Sequence, residues 1–527
     1  MATKKVKKEK SIEAALWDSC NKLRNSVNTF EYMQVIFGLL FLRFATEKFN
    51  YRREELLNSE DKDFIEEPSF YLERNVFFIP KSARWEEINK NSKQSNIGVI
   101  IDEALKALED NNESLKGTLP LNYYQRIAIS MPGSNMASII TNISNISINK
   151  ESSDDIIGKV YEYFMNKFAV LTKSDKGEFY TPRSIVELIA ELIEPYHGRV
   201  YDPCCGTGGM FIQSLKFVEK HHGNKKEISI LGQEKQDTTY RLARMNLAIR
   251  GISANLGEKE ASTFTDDQHR GEKVDFIMAN PPFNLKDWRG QDELTNDYRW
   301  NGYEVPPVSN ANYAWILHML NKLSVNGVAG FLLANGALGA GGEEYKIRKQ
   351  LIKNDKVEAI IVLPRQMFYY TDISVTLWIM RHNKKERVIK RDSVKTTLRN
   401  REKEILFMDL RRMNENISED KTVYFTDEQI NKVKNIFHSW QSPDYKETYK
   451  DVPEFSKSID LETISKEEND FSLVPSKYIK FIDRDLDINF DKEMTRIQKQ
   501  MKVLLKEEKE THQMLRDAFE GIGYDVE

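Results

Sequence analysis

Three cysteines in 527 residues are too few for a disulfide framework, and two of them, Cys204 and Cys205, are adjacent, where small buried side chains rather than redox chemistry are expected. Apolar runs are short as well. Val35–Phe44 is the strongest, but it contains Arg43 and falls well below the roughly 20 residues that span a bilayer. The eight histidines and three cysteines show no metal-ligand spacing, so no metal is predicted. A surplus of positive charge is also missing. With 77 Lys and Arg against 81 Asp and Glu, the formal net charge is −4, a poor basis for gripping a polyanion unaided. The Lys-rich start (Lys4, Lys5, Lys7, Lys8) leads into an amphipathic pattern instead of a signal-peptide apolar region, and predicts a soluble cytoplasmic protein.

What is present is more telling. The apolar run from Val274 to Ala279 closes on Asn280-Pro281-Pro282-Phe283, a tetrapeptide suited to methyl transfer onto an amide-like or aromatic amino nitrogen. Such a nitrogen is a poor nucleophile because its lone pair is delocalised, and two acceptors aimed at its N–H bonds would localise that pair. The Asn280 side-chain oxygen and the Pro281 carbonyl are the candidates. Phe283 offers a face for an extruded base, and Pro281 and Pro282 stiffen the turn.

Upstream, Arg199 to Phe211 reads as strand, glycine turn and helix start, with Asp202 at the strand end and glycines at 206, 208 and 209. That spacing departs from G-x-G-x-x-G and argues against a dinucleotide pyrophosphate; a nucleoside cofactor without phosphate, such as S-adenosylmethionine, fits better. A second apolar run, Ile228–Leu231, ends at Gly232-Gln233-Glu234, placing a carboxylate where both ribose hydroxyls can be accepted. Before both lies Glu178-Phe179-Tyr180-Thr181-Pro182-Arg183. It ends on a helix start whose free N–H groups suit a carboxylate such as that of a methionine moiety.

Along the chain, residues 10–150 are expected to form a helical amino-terminal domain for partner or DNA contact, with Leu16, Cys20, Leu23 and Val27 on one buried face. Residues 155–410 alternate strands and helices as in an α/β, doubly wound sheet whose strand ends carry the ligands. Residues 411–480 read as a polar helical connector. In residues 485–527, Met494, Ile497, Met501, Leu504, Leu515 and Phe519 trace a three-four seam for another helix, in a partner or in the same chain. The basic stretch Lys384–Lys403 reads either as a phosphate contact or as a solvated hairpin arm.

In order, GEFYTPR (177–183), DPCCGTGGMF (202–211), GQE (232–234) and ANPPF (279–283) resemble the amino-methyltransferases whose cofactor motif precedes the glycine loop. Ile12–Phe44, Val160–Phe164, Gly251–Gly257, Phe331–Leu338 and Leu363–Ile373 narrow the resemblance to the modification subunit of type I restriction-modification systems, over nearly the whole chain. The resemblance implies an S-adenosylmethionine-dependent adenine N6-methyltransferase acting on double-stranded DNA. Two such chains would surround one sequence-reading specificity subunit, and a restriction subunit can join. It places cofactor contacts at Glu178, Phe179, Tyr180, Thr181, Pro182, Arg183, Asp202, Gly206, Thr207, Gly208 and Glu234, and target chemistry at Asn280, Pro281, Pro282 and Phe283. One departure is Ser262, where related chains usually carry an acid that could bind the cofactor's adenine amine; either the serine still accepts one hydrogen bond or Asp266 or Asp267 substitutes, and weakened rather than abolished binding is expected. Three rivals stay open: a protein glutamine N5-methyltransferase, a cytosine N4-methyltransferase, and a non-catalytic assembly subunit of a restriction complex.

Overall fold

The computed structural model describes residues 17, 29–130, 133–146, 159–165, 167–168, 181–368, 374–391, 394–418, 421–481 and 490–521. The expected face of Leu16, Cys20, Leu23 and Val27 lies outside these residues. The first long helix, α1 (Thr29–Leu57), holds the apolar run that looked nearest to a membrane span. Val35, Ile36, Phe37 and Leu39 to Leu42 are all almost completely buried, because a helix that is apolar on every side must be enclosed by protein. Its neighbours include helix 133–144 and the short helix 85–90, and its core runs on through Tyr161, Phe164 and Phe168 to Leu242 and Met245. Among the described residues no helix is long and apolar enough to cross a membrane.

The rest of this body is an α/β layer built on a nine-stranded sheet. Its strands are β1 (Gly198–Asp202), β2 (Ile228–Gly232), β3 (Ala254–Asn255), β4 (Val274–Ala279), β5 (Leu323–Ala334), β6 (Val357–Val362), β7 (Val375–Arg381), β10 (Glu404–Asp409) and β11 (Ser456–Asp460), with β8 (Arg387–Arg391) and β9 (Val394–Leu398) forming a separate hairpin. Across the sheet the order is β11-β10-β6-β7-β5-β4-β1-β2-β3. Strands β3, β2, β1, β4 and β5 are mutually parallel, while β7 inserts antiparallel between β5 and β6. The chain builds outward from β1 to β3, then returns to place β4 on the other side of β1. Its switch point is therefore the crevice between the carboxyl ends of β1 and β4, where open α/β sheets bind ligands. Helices α2 (Arg183–Ile193), α3 (Gly209–Lys220), α4 (Asp237–Ala248) and α5 (Asn312–Lys322) cover the sheet with buried apolar faces, among them Ile185, Leu188, Ile189 and Leu192 of α2.

One sequence expectation needs correction, and one open pair of readings is narrowed. Residues 411–480 are not a connector: β11 pairs antiparallel with β10 from Glu404↔Asp460 to Met408↔Ser456. Helix α6 (Asp427–Gln441) buries Val433, Phe437 and Trp440 in the core shared with α2. The edge strand was hidden because β11 is polar and only partly buried, which weakens its alternation. The basic stretch 384–403 contains the β8–β9 hairpin, but much of its charge is used internally. Lys384 pairs with Asp355 at 2.7 Å, Arg391 with Glu194 at 2.7 Å, Arg399 with Glu404 at 2.7 Å, and Arg401 with Glu358 at 2.9 Å, the last pair fully enclosed. The hairpin follows the carboxyl end of β7, where Met380 lies opposite Val357, the first residue of β6, and Arg381 opposite Val328 of β5, on the side of β5 away from Ala334. It therefore leaves the sheet at the end opposite the switch crevice.

The chain divides at Ile479/Lys480 into two units. The second contains one long helix, α7 (Phe490–Glu520), that buries none of its residues. Met501 (57% exposed), Leu504 (61%) and Leu515 (52%) lie open along it.

Candidate active site

Parallel pairing brings the predicted strand-end residues together. Asp202 closes β1 opposite Gly232 of β2, Glu234 follows β2 by two residues, and Asn280 is the first residue after β4. Between β1 and α3 the chain turns through Gly206 (φ 54°) and Gly208 (φ 80°), backbone states that side chains with a Cβ resist. A Cβ at Gly209 would meet nothing within 4 Å, so the helix start presents an open floor.

The two carboxylates organise this turn. Asp202 Oδ1 accepts from Cys204 N at 3.0 Å. Glu234 Oε2 accepts from Gly206 N at 3.0 Å and its Oε1 from Gln236 N at 2.9 Å. Neither is in a salt bridge among the described residues. Burial pushes Asp202 up to about 7, with the Glu234 charge adding to the effect; burial likewise raises Glu234. The thiols of Cys204 and Cys205 are pushed well above the ordinary range, first by burial and then by these two carboxylates, which makes them inert as nucleophiles. A pair of enclosed carboxylates without a cation would repel phosphate. It suits a ligand offering hydroxyl and amine donors.

Across the crevice, Pro182 stands at the N-cap of α2, and the preceding Thr181 meets the tetrapeptide. Asn280 Nδ2 donates to Thr181 Oγ1 at 3.0 Å, which fixes which way the amide faces. Its Oδ1 is then left buried with no hydrogen-bond partner among the described residues. An orphaned buried acceptor is costly and is most readily explained by a donor that arrives with a ligand. Pro281 is buried, whereas Pro282 and Phe283 are partly open. The Phe283 and Phe368 rings meet in a T-shaped pair, with centroids 6.1 Å apart at 85°. Arg183 pairs with Glu187 at 2.7 Å on the open side of α2. Glu178, Phe179 and Tyr180 lie outside the described residues.

Other residues complete the site with little sequence signal. Asn246, buried on α4, donates to the Thr207 carbonyl at 2.7 Å and secures the glycine turn; only its polarity on an apolar helix face marks it. The expected stand-ins for an acid at Ser262 are otherwise engaged. Asp267 is held by Lys322 at 2.7 Å, because that enclosed ammonium needs a counter-charge. Asp266 is exposed and pairs with Lys259 at 3.1 Å.

Comparison with known proteins agrees with this geometry. The N-6 DNA methylase family matches residues 152–486, and the HsdM N-terminal domain matches residues 12–143. The MjaIX type I restriction enzyme methylase subunit of Methanocaldococcus jannaschii is 32% identical over 97% of this chain and 92% of its own length. The HindI type I restriction enzyme methylase subunit of Haemophilus influenzae is 37% identical over 85% of this chain and all of its own. Among solved structures, the methyltransferase subunit of a type I restriction-modification system from Streptococcus thermophilus has the same fold, with a TM-score of 0.71 at 20% identity, covering 89% of this chain and 99% of that one. Extended over the catalytic body and the helical amino-terminal region alike, these matches make the chain a member of the type I restriction enzyme methylase subunits, an adenine-specific DNA methyltransferase.

Proposed function

We propose that this chain transfers a methyl group from S-adenosylmethionine to the N6 amine of adenine in double-stranded DNA, in the cytoplasm, within an assembly of two such chains around one specificity subunit. A restriction subunit joins the full complex. The observation that carries the reading is the Asn280 side chain, oriented by Thr181 and holding a buried, unused acceptor beside the switch crevice.

The cofactor fits the residues present. Glu234 would take the ribose hydroxyls, Asp202 and the turn Gly206-Thr207-Gly208 would pack against the nucleoside, and the segment Glu178 to Arg183 would meet the methionine end. Bound there, S-adenosylmethionine supplies an electrophilic methyl on a sulfonium. On the other side, Asn280 Oδ1 and the Pro281 carbonyl hold the two amine hydrogens of a flipped adenine, drawing the nitrogen lone pair out of the ring. Phe283 stacks on the base, and Pro282 keeps the turn stiff. No strong base is required. The acceptors orient the amine, and the proton it loses after transfer passes to water. Most of the acceleration then comes from placement.

A net charge of −4, with four cations of the basic stretch 384–403 held in ion pairs and its hairpin leaving the sheet away from the crevice, supports a dependence on the specificity subunit for DNA affinity. The open apolar stripe of α7 is the surface proposed to dock on that subunit's helices. The test is nucleoside mass spectrometry of DNA incubated with S-adenosylmethionine and this chain, with and without the specificity subunit. N6-methyladenine only with the partner supports the reading. No modified base from a DNA-engaged complex would leave an assembly role instead.

A further inference from the structure

The segment 285–311, which leads away from the target tetrapeptide, has no regular structure beyond the 3-10 turn Tyr298–Trp300, yet it is tightly built. Loops this long without their own elements are usually functional. Near its middle, Arg299 is almost fully buried. Asp297 grips the guanidinium through Nε at 2.7 Å and Nη2 at 2.8 Å. The remaining donors leave the loop. Nη1 donates to the Thr263 carbonyl at 3.0 Å and Nη2 to the Phe264 carbonyl at 2.7 Å.

Those carbonyls belong to the strip Ala261–Phe264, which spans the two carboxylate-bearing strand ends. Ala261 N donates to the Glu234 carbonyl at 2.9 Å, and the Thr263 hydroxyl donates to the Pro203 carbonyl. A nucleoside held by Glu234 and Asp202 would therefore meet this strip with its base. Behind it, Arg299 Nη1 lies 3.4 Å from Nδ1 of the enclosed His318, whose Nε2 is 3.1 Å from the Tyr201 hydroxyl in β1. The strip also has an independent hold, since Gln233 Nε2 donates to the Ala261 carbonyl at 3.1 Å. Removing Arg299 would thus shift the strip rather than release it.

We infer that Arg299 is a positioning residue for cofactor binding: from the loop that begins at the target turn, it sets the wall that meets the cofactor's adenine, next to Ser262. This rests on the S-adenosylmethionine reading above. The experiment is calorimetry of the full chain with S-adenosylhomocysteine and with S-inosylhomocysteine, in which a carbonyl replaces the adenine amine.

Arg299→Ala should weaken S-adenosylhomocysteine about tenfold, the scale of one good hydrogen bond, and S-inosylhomocysteine much less, with Arg299→Lys partly restoring the preference. In the assembled methylase the KM for S-adenosylmethionine should rise in step while kcat holds. Asp297→Asn, which keeps the cation but loosens its seat, should move affinity the same way by a smaller factor, and covers the case in which Arg299→Ala fails to fold. Unchanged affinity and base preference in the folded variants would overturn the assignment, as would a loss confined to kcat. A wild-type chain that binds neither compound would instead overturn the cofactor reading beneath it.

Discussion

Asn284 and Asn312 clasp each other across the base of the loop that follows the target turn: Asn284 N donates to Asn312 Oδ1 at 3.1 Å, and Asn312 Nδ2 returns a bond to Asn284 Oδ1 at 2.9 Å. Asn284 sits at φ 53°, a left-handed state that Asn tolerates better than most residues, and it immediately follows Phe283. Asn312, buried at the start of α5, therefore governs how the tetrapeptide leaves β4. Asn312→Ala should lower kcat by about tenfold by loosening Phe283, in line with the cost of small misplacements, while S-adenosylhomocysteine affinity stays near wild type. Turnover and calorimetry on one preparation check this; a loss of affinity with kcat intact would contradict it.

Asn280→Ala removes the orphaned acceptor and should cut turnover by about 10²–10³, the usual effect of deleting one preorganised polar group, with cofactor affinity largely retained. Thr181→Val leaves the amide in place but takes away the hydroxyl that orients it, so a smaller fall in turnover is expected. Equal loss of cofactor affinity in Asn280→Ala would contradict the assigned role.

Glu234→Ala should act in the reverse order. Its carboxylate accepts from Gly206 N and Gln236 N, so its removal costs both the proposed ribose contact and the shape of the glycine turn. Affinity for S-adenosylhomocysteine should fall by more than about tenfold before any change in kcat at saturating cofactor. Equilibrium calorimetry decides it.

Asp202 carries a pH signature. Burial, aided by Glu234, lifts its carboxyl to about 7 in the folded chain, above its unfolded value. The folded state then holds a proton that the unfolded state has released. Its contribution to stability is full below the unfolded value and is lost as pH rises through about 7. The stability of the ligand-free wild type relative to Asp202→Asn should accordingly fall by roughly 2 kcal/mol between about pH 5 and about pH 7, then level off. Urea unfolding across that range measures the difference, and a flat profile would show that the carboxyl titrates normally.

The sequence alone determined the catalytic body's strand ends and the order of its motifs. Glycine spacing, acid-ended strands and the Pro-Pro turn are local chemistry, visible because Asp202, Glu234 and Asn280 each stand within three residues of an apolar run. The resemblance narrowed the expected acceptor to adenine and supplied the expected partners. Tertiary structure decided what depends on partners distant in sequence. It joined Thr181 to Asn280 across the crevice and spent Lys384, Arg391, Arg399 and Arg401 of the basic stretch on acids. It committed Asp267 to Lys322, and made 411–480 part of the sheet body through a polar edge strand. Arg299 and Asn312 were invisible beforehand for the same reason: a buried polar side chain is defined by the backbone groups it satisfies, and those groups are fixed only when the chain has closed around them.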